Sequence, residues 1–106
     1  MNALEISKYI IAYSEQIGKP VNNIRLQTLL YYLQHLFYND VKYTKDGIFY
    51  VPEVYYEYCY QIGYLLINKQ IEEKIPTEIK EVVNKYKNIP TWKLIKRIVN
   101  EHMADS

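Results

Sequence analysis

The residues of this chain that could do chemistry are few and widely spaced. Cys59 is the only cysteine, and the two histidines are His35 and His102. A nucleophilic cysteine needs a histidine base that a third group orients, and no orienting residue accompanies Cys59 and His35 at a recognisable spacing. Neither histidine has a second ligand at the interval typical of a zinc site. We therefore predict no enzyme, no metal and no cofactor, with a small Cys59–His35 enzyme as an open alternative.

Basic residues offer a second kind of chemistry, which is contact with phosphate groups. Lys93, Lys96 and Arg97 lie close together near the end of the chain, and Arg25 lies in an earlier predicted helix. The 13 basic and 12 acidic residues nearly cancel, so no broad positive field attracts nucleic acid. A DNA-binding protein would need these four side chains on one continuous surface. We therefore favour a protein partner over nucleic acid.

Tyrosine is the residue type that most distinguishes the composition. The chain has 13 tyrosines against two phenylalanines and one tryptophan. Because tyrosine joins a large apolar ring to a hydroxyl that needs a hydrogen-bond partner, such rings belong at the edge of a core. In the pairs Tyr31–Tyr32 and Tyr55–Tyr56 the two side chains diverge by about 100° on a helix. For the tyrosines together we predict an interaction surface for another protein or, in a homodimer, for a second copy.

Apolar periodicity supplies the elements that must position these side chains. The predicted helices cover about residues 3–17, from Asn22 or Asn23 to about 39–40, from Pro52 to Leu66, about 77–87, and from Thr91 onward. Gly18 is placed to end the first helix. The segment 41–51 alternates and contains Asp46-Gly47, which is typical of a hairpin turn. We predict an all-α fold, a single compact domain of about five helices over residues 1–106, with a small β-hairpin or loop at residues 41–51.

No targeting or membrane segment is evident in the sequence. The N-terminal residues do not combine a basic segment with a long apolar run. No apolar stretch approaches the roughly 20 residues that a membrane-spanning helix needs. We therefore expect a soluble cytoplasmic protein without membrane contact.

Three stretches together resemble the Panacea domain, a phage-associated family that includes SocA-like antitoxins. They are NIRLQTLLYYLQ at 23–34, YVPEVYYEY at 50–58 and TWKLIKRIVNEH at 91–102. The first is similar to the family's "kLqKLlYyaq" motif, with Thr28 where the family usually has lysine. The second matches the end of the family's aromatic segment but lacks its Gly-Pro pair. In the third, Ile98-Val99 replace the usual Thr-His. The resemblance runs from about Leu4 to about Glu101.

The resemblance implies a protein-binding module that neutralises a cognate toxin by direct binding. Some family members are similar to a proteolytic adaptor that delivers its toxin to a cellular protease. The alternative function is a phage- or prophage-encoded DNA-binding or regulatory protein. The matched motifs and the tyrosine pairs together give the expected partner-binding residues, which are Arg25, Gln27, Tyr31, Tyr32, Pro52, Glu53, Tyr55 and Tyr56.

Overall fold

A computed structural model describes residues 1–37, 42–44, 48–58 and 75–104 of the chain. In these ranges the helices are α1 (Ala3–Gln16), α2 (Asn23–Tyr32), α3 (Pro52–Glu57), α4 (Thr77–Tyr86) and α5 (Thr91–Ala104). A 3₁₀ turn covers Gln34–Leu36, and the strands are β1 (Lys42–Tyr43) and β2 (Phe49–Tyr50). The predicted all-α fold with a small hairpin is confirmed.

Helix α1 begins and ends where the sequence predicts. The Asn2 side chain accepts a hydrogen bond from the Glu5 backbone N–H at 2.9 Å, which caps the first turn. At the other end Gly18 has φ +72°, a left-handed conformation that glycine adopts without steric cost. Its N–H donates to the Glu15 carbonyl at 3.1 Å. The end of the helix therefore agrees with the signal in its local sequence.

Helix α2 lies at the centre of the fold. It packs against α1, β2, α3, α4 and α5. The Asn22 side chain caps it by accepting from the Arg25 N–H at 2.8 Å. Five consecutive residues, 26–30, are buried, so neighbours surround this part of the helix on all sides rather than along one stripe.

Helix α2 is shorter than predicted. It ends at Tyr32 and tightens into the 3₁₀ turn, after which Phe37 is extended and buried. A terminal 3₁₀ turn and another α turn both bring Leu33 and Phe37 to the core, so apolar spacing does not separate them. Residues 39–40, where the helix was predicted to end, lie outside the described residues.

The hairpin places the start of α3 against α2. Strands β1 and β2 are antiparallel, with Tyr43 opposite Phe49. Pro52 occupies the first turn of α3, as predicted. The predicted turn at Asp46-Gly47 and the predicted continuation of α3 to Leu66, which includes Cys59, lie outside the described residues.

Helices α4 and α5 complete the core. Buried side chains from these helices are Ile79, Val83, Tyr86, Leu94 and Ile98. Both helices begin directly after a proline, Pro76 and Pro90, as their sequences predict. Within the described residues, every helix is too short or too polar to cross a membrane.

Candidate functional site

An apolar groove lies between the N-terminal half of α2, the hairpin, α3 and α5. Its walls include Ile24, Ile48, Tyr55, Tyr56, Ile95 and Val99, and its volume is about 280 Å³. We call this feature the apolar groove. Among the described residues that line it, none carries a charge.

The two threonine hydroxyls in the groove are bonded within the protein. The Thr28 hydroxyl donates to the Ile24 carbonyl at 2.8 Å. The Thr44 hydroxyl accepts from the Ile48 N–H at 3.1 Å. Part of their hydrogen-bonding capacity is therefore used, and most of the lining that an incoming group would meet is apolar.

The rim of the groove exposes large apolar side chains. Tyr56 is 58% exposed, Ile24 55% and Tyr55 40%. Trp92, which is 63% exposed, is not part of the lining but precedes Ile95 by three residues and so lies on the same face of α5. Clustered exposure of this kind on one side of a protein is typical of a binding site.

Gln27 lines the floor of the groove and is almost fully buried there. It is 4% exposed, and its side-chain oxygen accepts from the Val51 backbone N–H at 2.7 Å. Its amide nitrogen donates to the Asn23 side chain at 3.1 Å, and Asn23 in turn donates to the Tyr55 carbonyl at 3.1 Å. The chain of hydrogen bonds through Gln27 fixes α3, and with it the tyrosine wall, to α2.

Arg25 is also committed to contacts inside the molecule. Its guanidinium donates to the carbonyls of Tyr86 and Ile89 and to the Thr91 hydroxyl. These acceptors lie at the end of α4 and the start of α5, where a cation is favoured by the negative end of the α4 dipole. Burial lowers the pKa of Arg25. We therefore assign Arg25 to holding α4 and α5 against α2.

Tyr31 and Tyr32 lie at the edge of the core, and both are half-buried. The Tyr31 hydroxyl donates to the Glu101 carboxylate at 3.0 Å, and its ring meets Phe49 edge-on at 5.2 Å. Burial raises the pKa of Tyr31 to about 12, with further contributions from the hydrogen bond and the charge of Glu101. Tyr32 stacks on Tyr86 at 4.3 Å between ring centres, and burial is the main cause of its raised pKa. These two rings join α2 to neighbouring elements.

The remaining residues that the sequence predicts to bind a partner belong to α3. Tyr55 and Tyr56 form the exposed wall of the groove, with their rings edge-to-face at 5.7 Å. Glu53 is exposed in the first turn, and Pro52 is half-buried. Of the eight residues expected from the sequence, the groove includes Gln27, Tyr55 and Tyr56 in its lining. Sequence reasoning missed Ile24 and Ile48, although Ile24 is the isolated apolar residue on the outer side of α2.

The alternative functions predict arrangements of side chains that the structure describes only in part. His35 is exposed and bonded to Glu78 at the start of α4, and Cys59 lies outside the described residues. Lys93, Lys96 and Arg97 are exposed, whereas the guanidinium of Arg25 contacts backbone carbonyls. Across the described ranges, no group of three or more histidine, cysteine or acidic residues could hold a metal ion.

Comparison of this chain with protein-family models, curated proteins and solved structures gives no match. The likeness to the Panacea domain therefore depends on the three stretches quoted above.

Proposed function

We propose that this protein is an antitoxin-like binding module that neutralises a cognate toxin by direct binding, without a catalytic step of its own. The observation that carries the proposal is the apolar groove, with Ile24, Tyr55 and Tyr56 exposed at its rim. Exposed apolar clusters mark surfaces that a partner covers. A toxin is the favoured partner because each of the three stretches that resemble the Panacea domain contributes residues to this groove.

The chemistry of the groove indicates which part of the toxin it would bind. A charged group entering the groove would lose its hydration without gaining an opposite charge from the described lining. An apolar helix or loop would instead bury its side chains against Ile24 and Ile95, while the tyrosine hydroxyls at the rim remain able to hydrogen-bond. We therefore expect the toxin to present an uncharged apolar segment.

The test in cells uses the product of the neighbouring open reading frame. Co-expression of the wild-type protein should restore growth that this product inhibits. Ile24→Glu and Tyr56→Glu should abolish the rescue because each buries a carboxylate in the interface, while both positions are exposed enough to keep the fold. Gln16→Glu adds the same charge at an exposed position at the end of α1 and should rescue like wild type. Equal toxicity with and without the wild-type protein would reject the proposal.

Direct binding is measured with the purified proteins by titration calorimetry. Ile24→Glu or Tyr56→Glu should weaken toxin binding by at least about 30-fold, as expected for a buried hot-spot position. Sedimentation of the protein alone tests whether a second copy of the chain occupies the groove instead of a toxin. A dimer that both groove variants dissociate, with unchanged toxin binding, would assign the groove to self-association and overturn the proposal.

A further inference from the structure

A second cavity lies where α1 and α4 end and where α2 and α5 begin. Its volume is about 500 Å³, and the groove-lining residues take no part in it. Three basic residues, Lys19, Arg25 and Lys87, line this polar cavity, and no acidic residue is among its described lining. The surroundings of the polar cavity are therefore positively charged.

The helix dipoles add to this charge. Backbone N–H groups donate to the carbonyls at the end of α1. For example, the Lys19 N–H donates to the backbone carbonyl of Ser14 at 2.8 Å. The carbonyl of Tyr86 at the end of α4 is bonded by Arg25. These carbonyls thus have hydrogen-bond donors, and the N-termini of α2 and α5 place their positive dipole ends at the cavity, at Asn22 and Thr91.

An unpartnered hydroxyl points independently to a ligand. Ser14 lines the polar cavity, is 0% exposed, and its hydroxyl makes no hydrogen bond. Buried polar atoms in proteins almost always have a partner, because burial without one costs free energy. The other buried serine and threonine hydroxyls described, those of Ser7 and Thr28, each donate to a carbonyl four residues earlier. Ser14 is therefore the exception, and it lies in the wall of a basic cavity.

We propose that the polar cavity binds a phosphate group, with the Ser14 hydroxyl donating to one oxygen and Lys19 and Lys87 neutralising its charge. A phosphate group fits because it combines negative charge with several strong acceptor oxygens. Arg25 keeps its contacts with α4 and α5 and contributes charge to the wall. The proposal involves a different cavity from the apolar groove, so its test is independent of toxin binding.

The test is a titration of the protein with inorganic phosphate at constant ionic strength, followed by the backbone amide resonances in NMR spectra. Saturable shifts should concentrate at residues around the polar cavity, such as Ser14, Lys19 and Asn88. The double variant Lys19→Ala/Lys87→Ala should weaken phosphate binding by about tenfold or more. The matched control Lys42→Ala/Lys96→Ala removes the same charge from exposed positions outside the cavity and should leave affinity within twofold. Non-saturable shifts, or equal weakening by both double variants, would overturn the proposal.

Ser14→Ala tests the role of the serine hydroxyl in phosphate binding. Alanine is favoured in a helix interior, so this variant should fold, while phosphate binding should weaken at least threefold. Affinity equal to wild type would overturn the assignment of Ser14. A parallel titration with O-phosphoserine identifies the source of the group. Tighter binding than inorganic phosphate would indicate a phosphorylated side chain, and equal or weaker binding would indicate free phosphate.

Discussion

Replacing Gln27 with methionine tests how the groove wall is held. Methionine is similar in size and also favours helices, so the change mainly removes two hydrogen bonds. The Val51 N–H, which is buried and bonded to Gln27 at 2.7 Å, would lose its acceptor. An orphaned buried donor costs about 1–3 kcal/mol, and the lost bond to Asn23 costs about 0.5–1.5 kcal/mol. The greater apolarity of methionine returns about 1 kcal/mol. We expect a net loss of about 2 kcal/mol in the free energy of unfolding.

Equilibrium unfolding in urea measures this loss, and it is a substantial part of the roughly 5–15 kcal/mol available to a domain. Thermal unfolding should show a midpoint lower by about 10 °C. Gln16→Met is the matched control. Because Gln16 is exposed, this substitution should change the free energy of unfolding by no more than about 0.5 kcal/mol. The reasoning would be refuted if Gln27→Met were as stable as this control, since Val51 would then have no need of the glutamine oxygen.

Three further predictions concern stability. Arg25→Met should lower the free energy of unfolding by about 2–4 kcal/mol in urea titrations, because the carbonyls of Tyr86 and Ile89 lose a charged donor; an effect below about 0.5 kcal/mol would contradict the contacts described. Wild-type stability should fall between pH 10 and about 12, because burial raises the folded pKa of Tyr31 above its ordinary value of 10.0 and folding favours the neutral phenol. Thermal melts across this range should show a smaller fall for Tyr31→Phe, and parallel curves would count against the raised pKa. Gly18→Ala should cost about 1 kcal/mol in urea unfolding because φ is +72°, although no atom lies within 4 Å of the added methyl group, and an unchanged midpoint would argue against the left-handed turn.

Local signals predicted the elements of the fold well. Asn22 and Gly18 fix ends of helices through their own side chain or backbone, and Pro52 marks the start of α3, so these positions are readable one at a time. The end of α2 was not readable, because Leu33 and Phe37 satisfy both an α turn and a 3₁₀ turn. Such a choice depends on how neighbouring elements pack.

The site was less predictable because its residues have contacts that are distant in sequence. Arg25 and Gln27 lie in the stretch that most resembles the Panacea domain, yet their partners are 61 to 66 and 24 residues further along the chain. A polar residue on a helix gives no sign of whether a later loop will cover it. Exposed Ile24 could have been found, because it departs from the apolar stripe that the buried leucines define.

The tyrosine pairs separate into two roles for a physical reason. Tyr31 and Tyr32 project from the central helix, where α4, α5 and β2 lie within reach, so their rings and the Tyr31 hydroxyl find partners inside the molecule. Tyr55 and Tyr56 project from α3, which contacts the core through Val54 and leaves its other face outward. A hydroxyl keeps a ring from needing full burial, so tyrosine suits both positions where phenylalanine would suit only the first. An abundance of tyrosine therefore indicates many core edges, and the packing of each helix decides which edge is left for a partner.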